Sequence, residues 1–245
     1  ANGSFTYTPN ANANGSDSFT YNAFDGQVVS QTPATVTIAI TNDTAFESNE
    51  TFLVNVTNVT GATVSDGQGL GTIVNDDCPP TVVVANGNDS GAGSLRQAIA
   101  DACHNGTIDF APAVSTVTLT SDQLSIPRNL SIDGGASGVT VQRSSAGGTP
   151  QFRIFDVPAG VTATLRALTV SNGNHPVQAG GIQNSGNLTL QRVTVANNTA
   201  PQSGGVQNDV VMTISDSAIV NNSTPGGFGG GIGIFGSSTV LINTT

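Results

Sequence analysis

Thr164-Leu165-Arg166-Ala167-Leu168-Thr169-Val170 is followed 25 positions later by Thr189-Leu190-Gln191-Arg192-Val193-Thr194-Val195. Thr213-Ile214-Ser215-Asp216-Ser217-Ala218-Ile219-Val220 comes 24 positions after that, and Thr239-Val240-Leu241-Ile242 another 26 on. Gly180-Gly181-Ile182, Gly204-Gly205-Val206 and Gly230-Gly231-Ile232 keep the same rhythm, as do Asn197-Asn198-Thr199 and Asn221-Asn222-Ser223. Three landmarks at one period define an internal repeat. A unit of 24–26 residues is too short for two helices and a turn. It holds about three short strands joined by turns, one coil of a parallel β-helix. A leucine-rich repeat is of similar length, but its fixed Leu ladder and Asn are missing.

Each coil is expected to stack on the next at about 4.8 Å, the spacing of neighbouring strands. Leu, Ile and Val then form inward ladders, and the Gly-Gly pairs allow corners that a side chain would obstruct. The pairs Asn197/Asn221 and Asn198/Asn222 admit two readings: hydrogen-bonded ladders between coils, or turn-forming residues. Earlier segments fit as irregular coils, with short period-two strands at Val117–Leu119, Leu124–Ile126, Leu130–Ile132 and Val139–Val141. Before them lies one convincing helix. Ser94 is its N-cap, with Gln97 three residues later as a capping box. Leu95, Ala98, Ile99 and Ala102 line one face, and Asn105-Gly106 is the expected left-handed stop. Such an amphipathic helix can cover the apolar end of the first coil.

Upstream, Phe19/Tyr21, Val36/Ile38/Ile40 and Phe52/Val54 alternate with polar residues, and turn signals such as Asp25-Gly26 separate the runs. This pattern predicts an all-β protein: a β-sandwich over 1–77, a linker and capping helix over 78–106, and a parallel β-helix over 107–245. Six Arg and no Lys stand against 16 Asp and Glu, a net charge of −10. The arginines are scattered singly, so a phosphate-tracking groove is not expected, nor is attraction to anionic lipid. Charged residues are only 9%; Thr, Ser, Asn and Gln must supply the polar surface. No apolar run reaches 18 residues, so no membrane-inserting helix is expected, and no signal peptide is visible. Cys78 and Cys103 are expected to form a disulfide, which places the protein in an oxidising, secreted setting.

ANGSFTYTPNANANGSDSFTYNAFDG with ATVTIAI, over residues 1–40, resembles the second half of cadherin-like repeats of large bacterial surface proteins. TNDTAFESNETFLVNV with DGQGLGTIVNDD, over residues 41–77, resembles the second half of a Calx-beta domain. NDSGAGSLRQAI with TIDF resembles the opening of bacterial right-handed β-helix surface proteins, and the GGI and NNT/NNS coils are similar to repeats of polymorphic outer-membrane proteins and related adhesins. Neither sandwich resemblance includes its family's first half. The Calx-beta resemblance implies calcium held by Glu47, Glu50, Asp76 and Asp77, with Asp43 close enough in sequence to join; calcium takes six to eight oxygens. The alternative is a solvated acidic loop. Asp17 and Asp25 match acidic positions of the cadherin-like repeat.

Many parallel β-helices cleave polysaccharides, using an Arg or Lys base beside calcium or clustered carboxylates. Here Lys is absent, Asp209 and Asp216 are the only acids in the regular coils, and Asp133, Asp156 and His175 are isolated in sequence. Arg166 and Arg192, 26 apart, are expected as near neighbours on adjacent coils. His104, next to Cys103, fits a helix end. The expectation is therefore a non-enzymatic extracellular structural protein, with no catalytic residues. It would be a filament subunit or adhesive stalk that binds identical subunits head to tail. One alternative is a monomeric adhesin fragment binding a glycan or host surface, and another is a polysaccharide lyase or hydrolase.

Overall fold

The structure, a computed structural model, describes residues 15–21, 27–28, 31, 34–40, 50–55, 68–73 and 78–245 apart from 228 and 237. The chain forms two units, Ala1–Cys78 and Pro79–Thr245. In the first, β1 (Gly15–Tyr21) pairs antiparallel with β2 (Ala34–Ile40), placing Phe19 opposite Val36. β3 (Glu50–Asn55) pairs antiparallel with β4 (Gln68–Ile73), placing Phe52 opposite Gly71. The Phe52 ring occupies the space where a β-carbon on residue 71 would stand.

The second unit is a parallel β-solenoid of about six turns. Its first sheet contains β5 (Thr81–Val84), β6 (Gly106–Phe110), β9 (Leu130–Asp133), β12 (Thr162–Arg166), β15 (Asn187–Gln191), β18 (Val211–Ser215) and β21 (Ser238–Ile242). The second contains β7 (Thr116–Leu119), β10 (Val139–Arg143), β13 (Leu168–Ser171), β16 (Thr194–Ala196) and β19 (Ala218–Val220). The third contains β8 (Leu124–Ser125), β11 (Phe155–Val157), β14 (Ile182–Asn184), β17 (Val206–Asn208) and β20 (Ile232–Ile234).

The period-two alternation fixes which side chains enter the core. Ile108, Ile132, Leu165, Leu190 and Ile214 stack in register on the first sheet, all fully buried. Val117, Val141, Val170 and Val195 do the same on the second. Leu124, Phe155, Ile182 and Val206 complete the core from the third. Outward from the first sheet runs a column of Thr81, Thr107, Ser131, Thr164, Thr189 and Thr213.

Left-handed residues stand at the corners between these sheets. Ala167, Arg192, Asp216 and Asn243 form one such series, with φ between 47° and 54°. Asn172, Asn197 and Asn221 form a second, and Ala179, Ser203 and Gly229 a third. Asn tolerates this conformation better than most L-residues. The Gly-Gly pairs do something different, since neither member has a positive φ. They permit close approach of neighbouring coils: a β-carbon on Gly205 would stand 2.4 Å from the Gly231 carbonyl oxygen, and one on Gly181 2.6 Å from that of Gly205.

Both readings of the Asn pairs hold, one for each column. Asn197 and Asn221 are the left-handed corner residues. Asn198, fully buried, bridges three coils: its Nδ2 donates to Asn222 Oδ1 and the Val170 carbonyl, each at 3.0 Å, while Oδ1 accepts from the Gly173 N–H at 2.8 Å. A second ladder, absent from the sequence reading, joins Asn184 Nδ2 to Asn208 Oδ1 at 2.6 Å.

Three expectations are corrected. First, the solenoid begins before residue 107, because β5 already pairs with β6, and the helix is inserted between them. Second, α1 is shorter than the pattern suggests, spanning Leu95–Asp101. Ser94 Oγ accepts from the Gln97 N–H, but the Gln97 side chain donates to Asp101 instead of closing the box. The helix ends in an extended Ala102, so Asn105-Gly106 shapes the turn into β6, not the C-cap. Third, Thr213 pairs with Val240, one residue beyond the expected Thr239. The cause is an extra corner residue, marked by the Phe235 and Gly236 N–H groups both donating to the Asn208 carbonyl.

Leu95, Ala98 and Ile99 of α1 join the solenoid core. Arg96 anchors the helix by donating to Asp89 Oδ1 and to the Asp122 and Gln123 carbonyls, all at 2.7 Å. Burial works to raise the Asp89 pKa, but the hydrogen bonds and charge of Arg96, with Ser121 and Thr120, outweigh it and hold the carboxyl below its ordinary value. Arg128 donates to the Ala100 and Ala102 carbonyls at the helix C-terminus. Cys78 and Cys103 are joined in a disulfide, as expected. It closes a loop whose constraint on the unfolded chain contributes about 3 kcal/mol.

Gly205→Ala is expected to destabilise by about 1–3 kcal/mol, because backbone must move. Asn198→Ala should cost about 1–3 kcal/mol by orphaning the Gly173 N–H and Val170 carbonyl. Gly147→Ala, where a β-carbon meets nothing within 4 Å, should stay within about 0.5 kcal/mol. Urea unfolding midpoints compare the three.

Candidate functional site: a polar seam along one sheet

The third sheet carries an outward column of Ser125, Asp156, Gln183, Gln207 and Gly233, in register across five strands. Strand alternation sends their neighbours Leu124, Phe155, Ile182 and Val206 into the core, so the column points away from it. An outward polar column should be open to water, yet Gln183 and Gln207 are only 4% and 6% exposed. Neighbouring chain closes over them. Gln178 Nε2 donates to Gln183 Oε1 at 3.0 Å. Ser203 Oγ sits where a side chain on Gly233 would begin.

Asp209 ties the seam together from the end of β17. Its Oδ2 accepts from Gln183 Nε2 at 2.6 Å and its Oδ1 from Gln207 Nε2 at 3.0 Å. These bonds fix the orientation of both amides, because a carboxylate only accepts. Arg153, itself 9% exposed, lies just before β11 with Nη1 3.6 Å from Asp156 Oδ1. Its Nη2 is 2.9 Å from His175 Nε2, while His175 Nδ1 faces the N–H groups of Val177 and Gln178 at 3.3 and 3.1 Å. Burial, then the Arg153 charge, holds the His175 pKa below its ordinary value. Burial raises that of Asp156, partly offset by Arg153. Asp156, His175 and Asp209 are half-buried rim residues around a floor of Arg153, Gln183 and Gln207. The seam thus combines one fixed cation, two carboxylates and several amides that can each donate or accept.

Among the described residues three buried side-chain polar atoms have no partner: Arg153 Nε, Gln207 Oε1 and Ser203 Oγ. All belong to this seam. The sequence hid the site because its residues come from five coils and share no contiguous motif. Asp156 and His175, isolated in sequence, are thereby corrected: Arg153 lies against both. The recurring Gln-Asn of Gln183-Asn184 and Gln207-Asn208, 24 residues apart, was the available signal.

The other expected residues lie elsewhere. Arg166 and Arg192 do not stack, because Arg166 pairs in register with Gln191 and its Nε is 3.6 Å from Asp133 Oδ2 on the preceding coil. Asp133 is therefore not isolated either. Arg192 is a corner residue beside Gly138, Thr169 and Thr194. Asp216 is also at a corner, accepting from Asn243. His104 lies against Asn129. Of the calcium set, Glu50 is on β3, while Asp43, Glu47, Asp76 and Asp77 lie outside the described residues. Asp17 is on β1 and Asp25 is outside. Among the described residues no group of three or more His, Cys, Asp or Glu could hold a metal. No helix among them is long and apolar enough to cross a membrane.

A family model described as a cadherin-like domain matches residues 1–41. This is the segment containing β1 and β2, and it agrees with the resemblance seen in its sequence. No curated protein and no solved structure matches the chain. The disulfide and the cadherin-like match are both consistent with an extracellular protein.

The depressed His175 pKa makes stability depend on pH with a definite sign. The unfolded imidazole takes up a proton near pH 6.5, whereas the folded one, beside Arg153 with Asp156 and Asp209 on the same rim, resists it. Stability contributed by neutral His175 is therefore present above about pH 6.5 and lost as pH falls from there through the folded pKa. Asp156 acts oppositely at lower pH, where its raised pKa favours the folded state as acid is added. Thermal melts between pH 7.5 and 5 should show the first loss, and His175→Gln should remove it.

Proposed function

We propose that this chain is a non-enzymatic, extracellular structural protein: a right-handed β-solenoid stalk behind cadherin-like and Calx-beta-like sandwich segments, extended end to end by further rungs. The supporting observation is the rung of β20 and β21. Ile234, Phe235, Val240, Leu241 and Ile242 are 44–65% exposed there. Leu241 continues the column of Leu165, Leu190 and Ile214, which is fully buried wherever another rung covers it. Strands with open hydrogen-bonding edges are templates for pairing. Further coils of a longer polypeptide would cover this rung as a second copy does, and either lengthens the stalk.

At the opposite end we assign α1 the role of a cap. Its apolar face enters the core beside β5, and Arg96 and Arg128 hold it there. In this reading the assembly is polar, with the α1 face and the β20–β21 rung as its two unlike pairing surfaces. Head-to-tail association of identical subunits then produces an open-ended assembly rather than a closed ring. The polymorphic outer-membrane-like coils and the secreted setting support a surface stalk. Calcium at Glu47, Glu50, Asp76, Asp77 and Asp43 would stiffen the first unit and lies outside the solenoid.

Sedimentation at increasing concentration tests association. The expected result is growth of species larger than a monomer, suppressed at least tenfold in apparent affinity by Leu241→Lys, which places a charge in the rung interface. A monomer at all concentrations contradicts head-to-tail assembly.

A further inference from the structure

We propose that the open groove beside Arg192, at the corner between the first and second sheets, binds a small hydroxylated carboxylate, a sugar acid. This is independent of end-to-end assembly, because the groove lies on the side of the coils. The starting point is a cation without a partner. Arg96, Arg153 and Arg166 meet carboxylates, and Arg128 and Arg143 donate to backbone carbonyls. Arg192 is exposed, and among the described residues its guanidinium makes no hydrogen bond or ion pair; only its backbone N–H bonds, to the Ser215 carbonyl. The corner itself does not call for arginine, since Ala167, Asp216 and Asn243 hold the same left-handed position on other coils. Asp216 is the next residue of that corner series, yet its carboxylate accepts from Asn243 and forms no ion pair with Arg192.

The groove follows from three successive corners. The first is the turn Gly134–Gly138 between β9 and β10, whose Gly135, Ala136 and Ser137 are exposed. The Gly134 N–H donates to the Arg166 carbonyl and the Val139 N–H to the Ala167 carbonyl, which fixes this turn against the next coil. That coil turns at Ala167, and the one after it at Arg192. The turn and Arg192 are therefore two strands apart, about 10 Å. The corner between them is an alanine, whose methyl group leaves the space open. The result is a groove of about 230 Å³ lined chiefly by Ser137, Gly138, Ala167, Thr169, Arg192 and Thr194. Thr169 and Thr194 are partners in register on β13 and β16.

The lining sets the ligand chemistry. A guanidinium offers a planar fork of N–H donors that matches a carboxylate. The hydroxyls of Ser137, Thr169 and Thr194 can each donate or accept, which suits a ligand that carries hydroxyls of its own. No acidic residue lines the groove, and Asp133, just before the turn, faces Arg166. A single cation matches a single negative charge. A second charge would go unmatched in a chain of net charge −10, which disfavours phosphate. Water takes about 30 Å³ per molecule in the liquid, so the groove holds the space of seven or eight waters. That accommodates one sugar-acid unit.

Gluconate, glucuronate, glucose, inorganic phosphate and a galacturonate oligomer are titrated into the isotope-labelled full chain and followed by NMR. The two monomeric acids are expected to shift the Arg192 Nε–H and the backbone N–H groups of Ser137, Gly138, Thr169 and Thr194 saturably. Glucose at the same concentrations should not. Arg192→Asn should weaken binding tenfold or more; Asn243 shows that this corner accepts asparagine, so the backbone is kept. Ala167→Gln retains the cation but fills the groove, and should weaken binding to a similar degree. Tenfold tighter binding of the oligomer through the same N–H groups would identify a polymer as the source of the acid, and equal binding per unit the free acid; both support the site. No saturable shifts, an equal response to glucose, or tighter binding of phosphate would overturn the proposal. So would binding unchanged by Arg192→Asn, or binding lost in Arg192→Asn but unchanged by Ala167→Gln, which marks attraction to an exposed charge without a groove.

Discussion

Each coil must bring its backbone close enough to the next for the N–H of one strand to reach the carbonyl of its neighbour, and every other feature of the solenoid follows from that approach. Where the coils press closest, only glycine fits. Gly180, Gly181, Gly204 and Gly205 each face a carbonyl oxygen of the following coil at a distance that excludes a β-carbon. Elsewhere the alternating strands send one row of side chains to the centre. Those rows become continuous columns such as Ile108 to Ile214, fully buried from rung to rung. Core and backbone pairing therefore reinforce one another along a single direction.

A coil that turns three times must also satisfy polar groups at its corners. The chain does this with asparagine in two distinct ways. Asn197 and Asn221 adopt the left-handed backbone that the turn requires. Asn198 and Asn222, one position later, turn inward and bond to neighbouring coils. Adjacent identical residues thus serve opposite needs, one conformational and one hydrogen-bonding. The buried amides cost little, because Asn198 uses donors and acceptor alike. The polar seam departs from this economy. Among the described residues, Arg153, Gln207 and Ser203 each keep a buried side-chain atom without a hydrogen-bond partner.

The repeat from residue 164 onward was legible because its inward and outward residues recur at nearly constant spacing, and the short strands at 117–141 were legible by alternation alone. Position within the coil was less so. Inserting one residue at the corner after Ile234 shifts the strand register without changing the apparent motif, which is why Thr239 looked equivalent to Thr213 and is not. The solenoid's first strand was hidden by its distance from β6, with a helix and a disulfide intervening. The seam was hidden for a different reason. Proximity across coils joins residues 20–60 positions apart, and only the register shows that Asp156, Gln183 and Gln207 share a column. The acidic positions suggested for calcium rest on family resemblance; Glu50 begins β3, and Asp43, Glu47, Asp76 and Asp77 lie outside the described residues.

The in-register stacking of coils is tested most directly by distances measured along one column. Spin labels at Thr81 paired in turn with labels at Thr164, Thr189 and Thr213 lie three, four and five strands apart on the first sheet. Pulsed electron resonance should return separations of about 14, 19 and 24 Å, rising by about 4.8 Å per strand. Distances that fail to rise in that order, or that return toward the starting value as in a closed barrel, would contradict the solenoid and everything built upon it.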